Sequence, residues 1–123
     1  MRLMIVDDSN MIRSRISRVV QNGGLAHVAL VGLARNGAEA LRIARATQPE
    51  VVTMDLTMPE MDGVQCIGEL LRMLPRTNIL VVSALSDKST AIAALKLGAR
   101  GFVAKPFSDD ELRMALLDVM EAR

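Results

Sequence analysis

Five short apolar runs recur along the chain, each followed within a few residues by a stretch of helical periodicity. No other feature restricts the fold as much. The runs are residues 3–6, 27–34, 51–55, 79–82 and 102–104, and each is bounded by turn-forming residues. Ser9 is a good N-cap for a first helix, in which Ile12, Ile16, Val19 and Val20 recur at helical spacing until Asn22-Gly23-Gly24 ends it. Further helices are predicted over 38–46, with Leu41 and Ala44 inward, and over 64–74, with Ile67, Leu70, Leu71 and Leu74 as the stripe. The last two span 88–97, closed by Gly98, and 109–122, capped by Ser108 with acidic residues in its first turn. Strands separated by single helices pair in parallel and are covered on both faces. Right-handed crossovers in this number of units fit an α/β fold, a doubly wound five-stranded parallel sheet of order 2-1-3-4-5.

The 123 residues form one domain, 1–123, with no linker, repeat or low-complexity segment. Phe102 and Phe107 are the only aromatic residues, so the core must be aliphatic and methionine-rich. A formal net charge of +1 gives no strong field for nucleic acid, and direct nucleic-acid binding is not expected. The charge is uneven, with seven Lys/Arg and three Asp/Glu in residues 1–49 against eight and eleven in 50–123. Either this is ordinary surface variation or the basic first helix meets an acidic partner. Arg13, Arg15 and Arg18 are placed on the more polar side of that helix. Cys66 is the single cysteine; it rules out an internal disulfide and falls on an apolar helical pattern as a small core residue. His27, the one histidine, reads as a surface or strand-start residue. Asp7 and Asp8 interrupt the first apolar run, no run approaches membrane-spanning length, and a cytoplasmic protein is expected.

The chemistry gathers at the strand ends. In residues 51–63, an apolar run stops at Asp55 and a Pro-x-x-Asp-Gly turn follows. Alone, an aspartate there could merely start a turn. In a parallel sheet, however, the carboxyl ends share one edge, where open α/β folds bind ligands. The first strand delivers Asp7 and Asp8 there, the third Asp55, the fourth Ser83 and the fifth Lys105. Three clustered carboxylates resist common ionisation without a cation, and hard oxygen ligands of this kind suit Mg²⁺. A lysine and a hydroxyl nearby are what a phosphoryl oxygen needs. The set reads as a phosphoryl-transfer site with a carboxylate nucleophile.

The order and spacing of these pieces resemble a response-regulator receiver domain, of the flavodoxin-like single-domain type similar to the chemotaxis regulator. The matching segments are Val6-Asp7-Asp8-Ser9 with Arg13, then Met54-Asp55-Leu56-Thr57-Met58-Pro59-Glu60-Met61-Asp62-Gly63, then Val82-Ser83-Ala84, and Gly98-Ala99-Arg100-Gly101-Phe102-Val103-Ala104-Lys105-Pro106-Phe107. The resemblance implies that Asp55 accepts a phosphoryl group from a phosphohistidine on a partner kinase or histidine phosphotransfer protein. It implies Mg²⁺ on Asp8, Asp55 and the Thr57 backbone carbonyl, with Asp7 acting through water. Lys105 would pair with Asp55 at rest, Ser83 would donate to the phosphoryl group, and the Lys105-Pro106 bond would be cis. Ser83 stands where threonine is commoner, and Phe102 takes an aromatic switch position often filled by tyrosine. Thr57 and Leu85 fall where side chains tune dephosphorylation, and apolar Leu85 points to a long-lived phosphoryl group. The output surface would be the helix 88–97, the strand 102–104 and the helix from Asp109. Lys88, Ala91 and Phe102 are its expected partner contacts, while Ile92 and Leu95 read as core. A monomer or a phosphorylation-dependent dimer, a downstream protein target and no membrane complete the expectation.

Other readings use the same residues. An aspartyl-nucleophile phosphatase, a multi-turnover enzyme, would need an acid/base carboxylate two residues after Asp55, where Thr57 stands. A flavin carrier of the same topology would want aromatic stacking that a chain without Trp or Tyr lacks. A receiver module cut from a longer regulator, with a DNA-binding or enzymatic output domain, fits as well.

Overall fold

The computed structural model describes residues 1–22, 24, 25, 27–58 and 61–121. Strands β1 (Arg2–Val6), β2 (Ala29–Ala34), β3 (Val51–Asp55), β4 (Asn78–Ala84) and β5 (Gly101–Lys105) form one parallel sheet of order β2-β1-β3-β4-β5. Between them run α1 (Asn10–Asn22), α2 (Gly37–Thr47), α3 (Gly63–Met73) and α4 (Lys88–Leu97), with α5 (Asp109–Glu121) after β5. A short 3₁₀ turn, Leu85–Asp87, leads into α4. The doubly wound order expected from the sequence is therefore the observed one.

Strand parity divides the core in two. Leu3 and Ile5 of β1, Val51 of β3, Leu80 and Val82 of β4 and Val103 of β5 turn to one face, where Ile16, Val20, Leu112 and Leu116 of α1 and α5 cover them. Met4, Val6, Val52, Met54, Ile79 and Val81 turn to the other, under α2, α3 and α4. Every residue of β3 is buried, as a central strand covered on both faces requires. The sheet thus holds the last residues of its strands against a rigid, aliphatic interior.

Boundaries moved where local hydrogen bonds decided them. The second strand begins at Ala29, because Val28 N–H closes a turn onto the Leu25 carbonyl; His27 lies exposed in that turn. Asn36 caps α2 by accepting from Glu39 N–H at 2.8 Å, and Asp62 caps α3 by accepting from Gln65 N–H at 2.8 Å. Gly63 follows at a point of close approach: a Cβ there would lie 2.4 Å from the Asp55 carbonyl oxygen. The expected stripe of α3 holds, with Ile67 and Leu70 buried and Leu71 and Leu74 packed against the same cluster. Cys66 is fully buried in that cluster, and burial pushes its thiol up to about 12. Pro59 and Glu60, in the middle of the loop after β3, lie outside the described residues, as do Gly23 and Ala122 at two expected helix ends.

Two sequence expectations are corrected. Arg13 is buried, at 8 % exposure, where periodicity placed it among the polar residues of α1. Its guanidinium turns inward because the backbone carbonyl of Asp7 offers it an acceptor at 2.5 Å, and the Asn10 side chain offers a second. On α4 the inward face carries Ala91 and Ala94, 3 % and 0 % exposed, while Ile92 and Leu95 stand 44 % and 41 % exposed. Ala91 is therefore a core residue, and Ile92 and Leu95 are surface residues. The small alanines pack into the cluster with Ala99 and Leu71, so the helix rests on its least bulky face.

Candidate functional site

The carboxyl edge of the sheet brings Asp7, Asp8, Asp55 and Lys105 together. Asp7 and Asp55 are buried, 1 % and 3 % exposed, and Asp8 is exposed at the mouth. One carboxylate oxygen from each of the three lies within 4.8 Å of the others. Lys105, reaching in from the end of β5, sets its Nζ 3.1 Å from Asp7 Oδ2 and 3.4 Å from Asp55 Oδ1. The lysine therefore pairs with Asp55, as the resemblance implied, and bridges it to Asp7, to which it lies nearer.

The local backbone holds each acid. Asp7 Oδ1 accepts from Ser9 N–H at 2.9 Å, while Asp7 N–H donates to the Ala34 carbonyl in the β2 direction. Asp55 Oδ1 accepts from Thr57 N–H at 3.3 Å. The Lys105-Pro106 peptide is cis, as the sequence resemblance implied. Just beyond it, Phe107 is buried beneath the Arg15 guanidinium, 5.0 Å from the ring centroid.

Burial and crowding set the electrostatics. Burial raises the Asp55 carboxyl, and the Asp7 charge raises it further; Lys105 and the Thr57 N–H pull it back only in part, leaving it at about 6. For Lys105, burial alone would lower the ammonium, but the charges of Asp7 and Asp55 outweigh it and hold the group above its usual value. Two buried acids against one cation leave an excess of negative charge at the pocket, before Asp8 is counted. All the donors are carboxylate oxygens, which is the donor set a hard divalent cation selects. The residues present fit Mg²⁺.

Ser83 shares this edge and is buried, but its hydroxyl points elsewhere. Ser83 Oγ donates to Asp87 Oδ2 at 3.1 Å, and Thr57 Oγ1 donates to the same oxygen at 3.2 Å. Asp87 did not stand out in the sequence. The available signal was an acid four residues past a strand-end serine, at the start of a helix. Of the remaining expected residues, Leu85 is 67 % exposed on the 3₁₀ turn, Lys88 is exposed at the head of α4, and Phe102 is half-buried on β5 against the core. Phe102 also lines a shallow open cleft with Met114, Asp110, Glu111 and Asp118 of α5.

A parallel sheet of this order, with an acidic, lysine-bridged pocket at its carboxyl edge, defines a signalling domain of the receiver class. The family model described as the response regulator receiver domain matches residues 3–117, and the chain belongs to that family. Within the family it is similar to chemotaxis proteins of its own size. It is 36 % identical to the chemotaxis protein CheY of Thermotoga maritima over 115 residues, covering 94 % of this chain and 93 % of that one. The same identity and coverage hold for CheY of Bacillus subtilis. A stretch of 105 residues is also 45 % identical to the protein-glutamate methylesterase/protein-glutamine glutaminase of Halobacterium salinarum, covering 84 % of this chain and 29 % of that protein. Among solved structures, the receiver domain of AraT from Geobacillus stearothermophilus superposes with a TM-score of 0.90 at 28 % identity, over 98 % of this chain and 92 % of the other. The response regulator domain of Thermotoga maritima CheB gives 0.84 at 27 % identity, over 100 % and 98 %. The protein is thus a CheY-like receiver of two-component signalling. Among the described residues no helix is long and apolar enough to cross a membrane.

Proposed function

We propose that Asp55 is the phosphoacceptor of this receiver and that the unit 1–123 works as one cytoplasmic switch domain. The observation that carries the reading is the bridged cluster itself, in which Lys105 lies within 3.4 Å of two buried carboxylates and Asp8 stands open to solvent beside them. An Asp55 carboxylate oxygen attacks the phosphorus of a phosphohistidine on a kinase or histidine phosphotransfer protein. The P–N bond breaks, the imidazole leaves, and an acyl phosphate remains on Asp55. Asp8, Asp55 and the Thr57 carbonyl would hold Mg²⁺, with Asp7 acting through water; when bound, the ion neutralises charge on the carboxylates and the phosphoryl oxygens. The Lys105 ammonium, already in place, turns to a phosphoryl oxygen, and Ser83 supplies a hydroxyl to another.

The chain's own residues transfer the group once and then hold it, so the domain acts as a switch and not as a multi-turnover enzyme. Leu85, exposed and apolar, orients no attacking water, which favours a slow return to the resting state. The output face is α4, β5 and α5. Lys88, Phe102 and the exposed Ile92, Leu95 and Met114 offer it charge and apolar area for a downstream protein. Incubation with Mg²⁺ and acetyl phosphate, followed by intact-mass measurement, tests the reading. One phosphoryl adduct is expected on the wild type and none on Asp55→Asn. An adduct that survives the substitution, or none on the wild type with acyl phosphates and phosphohistidine donors alike, overturns it.

A further inference from the structure

Asp87 has no part in the transfer described above, yet it is bound to it on two sides. It ends the 3₁₀ turn and stands at the N-cap position of α4, where an aspartate ordinarily accepts from the free N–H groups of the first turn. Its side chain caps none of them. One oxygen, Oδ2, instead takes both hydroxyls, that of Ser83 from β4 and that of Thr57 from the segment after β3. A single carboxylate at the N-cap of α4 thus ties the exits of two adjacent strands together.

A serine hydroxyl has one proton to donate. While Ser83 donates to Asp87 it cannot donate to a phosphoryl oxygen on Asp55, and the Asp87 charge has the same sign as the incoming group. We propose that Asp87 is a positioning residue that holds Ser83 in its resting orientation. When the phosphoryl group captures Ser83, Asp87 keeps only the Thr57 hydroxyl, and its second oxygen can turn to cap α4. The carboxylate belongs to the base of that helix, so a change of hydroxyl partner at the pocket becomes a change at the head of the output face. The inference rests on the phosphoacceptor reading above and adds a restraint that the strand-end residues alone do not contain.

Titration with Mg²⁺ and beryllofluoride, an acyl-phosphate mimic, tests it with wild type, Asp87→Ala and Asp87→Ser, alongside melting temperatures without ligand. Loss of a charge-assisted restraint should tighten beryllofluoride binding on the order of tenfold in both variants. Serine keeps the capping capacity, so a gain shared by Asp87→Ser is not an effect of helix fraying. In a Ser83→Ala background the gain should vanish, because the restrained hydroxyl is gone. If the wild type binds beryllofluoride and both variants bind it no more tightly, Asp87 is only structural and the inference fails while the phosphoacceptor reading stands. If the wild type binds no more than Asp55→Asn does, both fall together.

Discussion

The carboxyl edge of the sheet and the layers beneath it are built from the same strands but obey opposite rules. Beneath, β3 places Val51, Val52 and Met54 in two aliphatic clusters that gain stability from every buried methyl group. At the edge the same strand ends on Asp55, buried beside a second acid, with a single lysine between them. The interior is built to stay folded, while the edge keeps charge in a place that costs stability, as the proposed phosphoacceptor role of Asp55 requires. Substitutions that exchange the two properties measure how separate the regions are.

The largest effect is expected in the interior. Leu70, fully buried between α3 and the sheet, packs in the cluster with Ile67, Val52 and Ala94. Leu70→Ala should cost about 2–5 kcal/mol in urea unfolding. The fraction of folded protein that accepts a phosphoryl group should not change. A folded Leu70→Ala protein that no longer forms the adduct would show that the core tunes the edge as well as supporting it.

The edge should show the reverse. The Asp55 carboxyl stands at about 6 against an ordinary 3.8, so folding favours its protonated form. That contribution to stability is fully present below pH 4 and is lost as pH rises through 6. Asp55→Asn removes the charge. Without Mg²⁺ at pH 7.5 it should be more stable than wild type, on the order of 1–3 kcal/mol. The two proteins should converge below pH 4. An Asp55→Asn protein less stable than wild type at pH 7.5 would mean that pairing with Lys105 outweighs the burial of Asp55.

What the sequence disclosed follows the same division. The sheet order and the strand-end residues were legible because apolar runs and their polar stops are local signals, readable one strand at a time. The orientation of α4 was not, because Ala91, Ile92, Ala94 and Leu95 are apolar on both sides and only packing selects the small face as the inner one. Arg13 was misplaced because its acceptor, the Asp7 carbonyl, lies outside the helix, just past the end of β1, where helical periodicity carries no information. Asp87 did not stand out for a related reason. Its partners lie 4 and 30 residues away, and no periodicity marks the Thr57 hydroxyl that reaches it from the segment after β3.

Thr53 is where the two regions meet, and the smallest effect should be the most informative about their boundary. It lies two residues before Asp55 on β3, in register with Ile5 and Leu80. It is 1 % exposed, and its Oγ1 has no hydrogen-bond partner among the described residues. A buried hydroxyl in that position is a cost the aliphatic layer has no use for. Thr53→Val keeps the shape and the β-branch while removing the unmet group, and should stabilise the protein by about 1 kcal/mol in urea unfolding. Phosphoryl acceptance should be untouched, since among the described residues no hydrogen bond joins the Thr53 hydroxyl to the acids or to Lys105. If the valine protein is instead less stable, or if its adduct forms more slowly at equal fold, the hydroxyl is being used. The polar edge would then extend one layer deeper into β3 than the charges alone suggest.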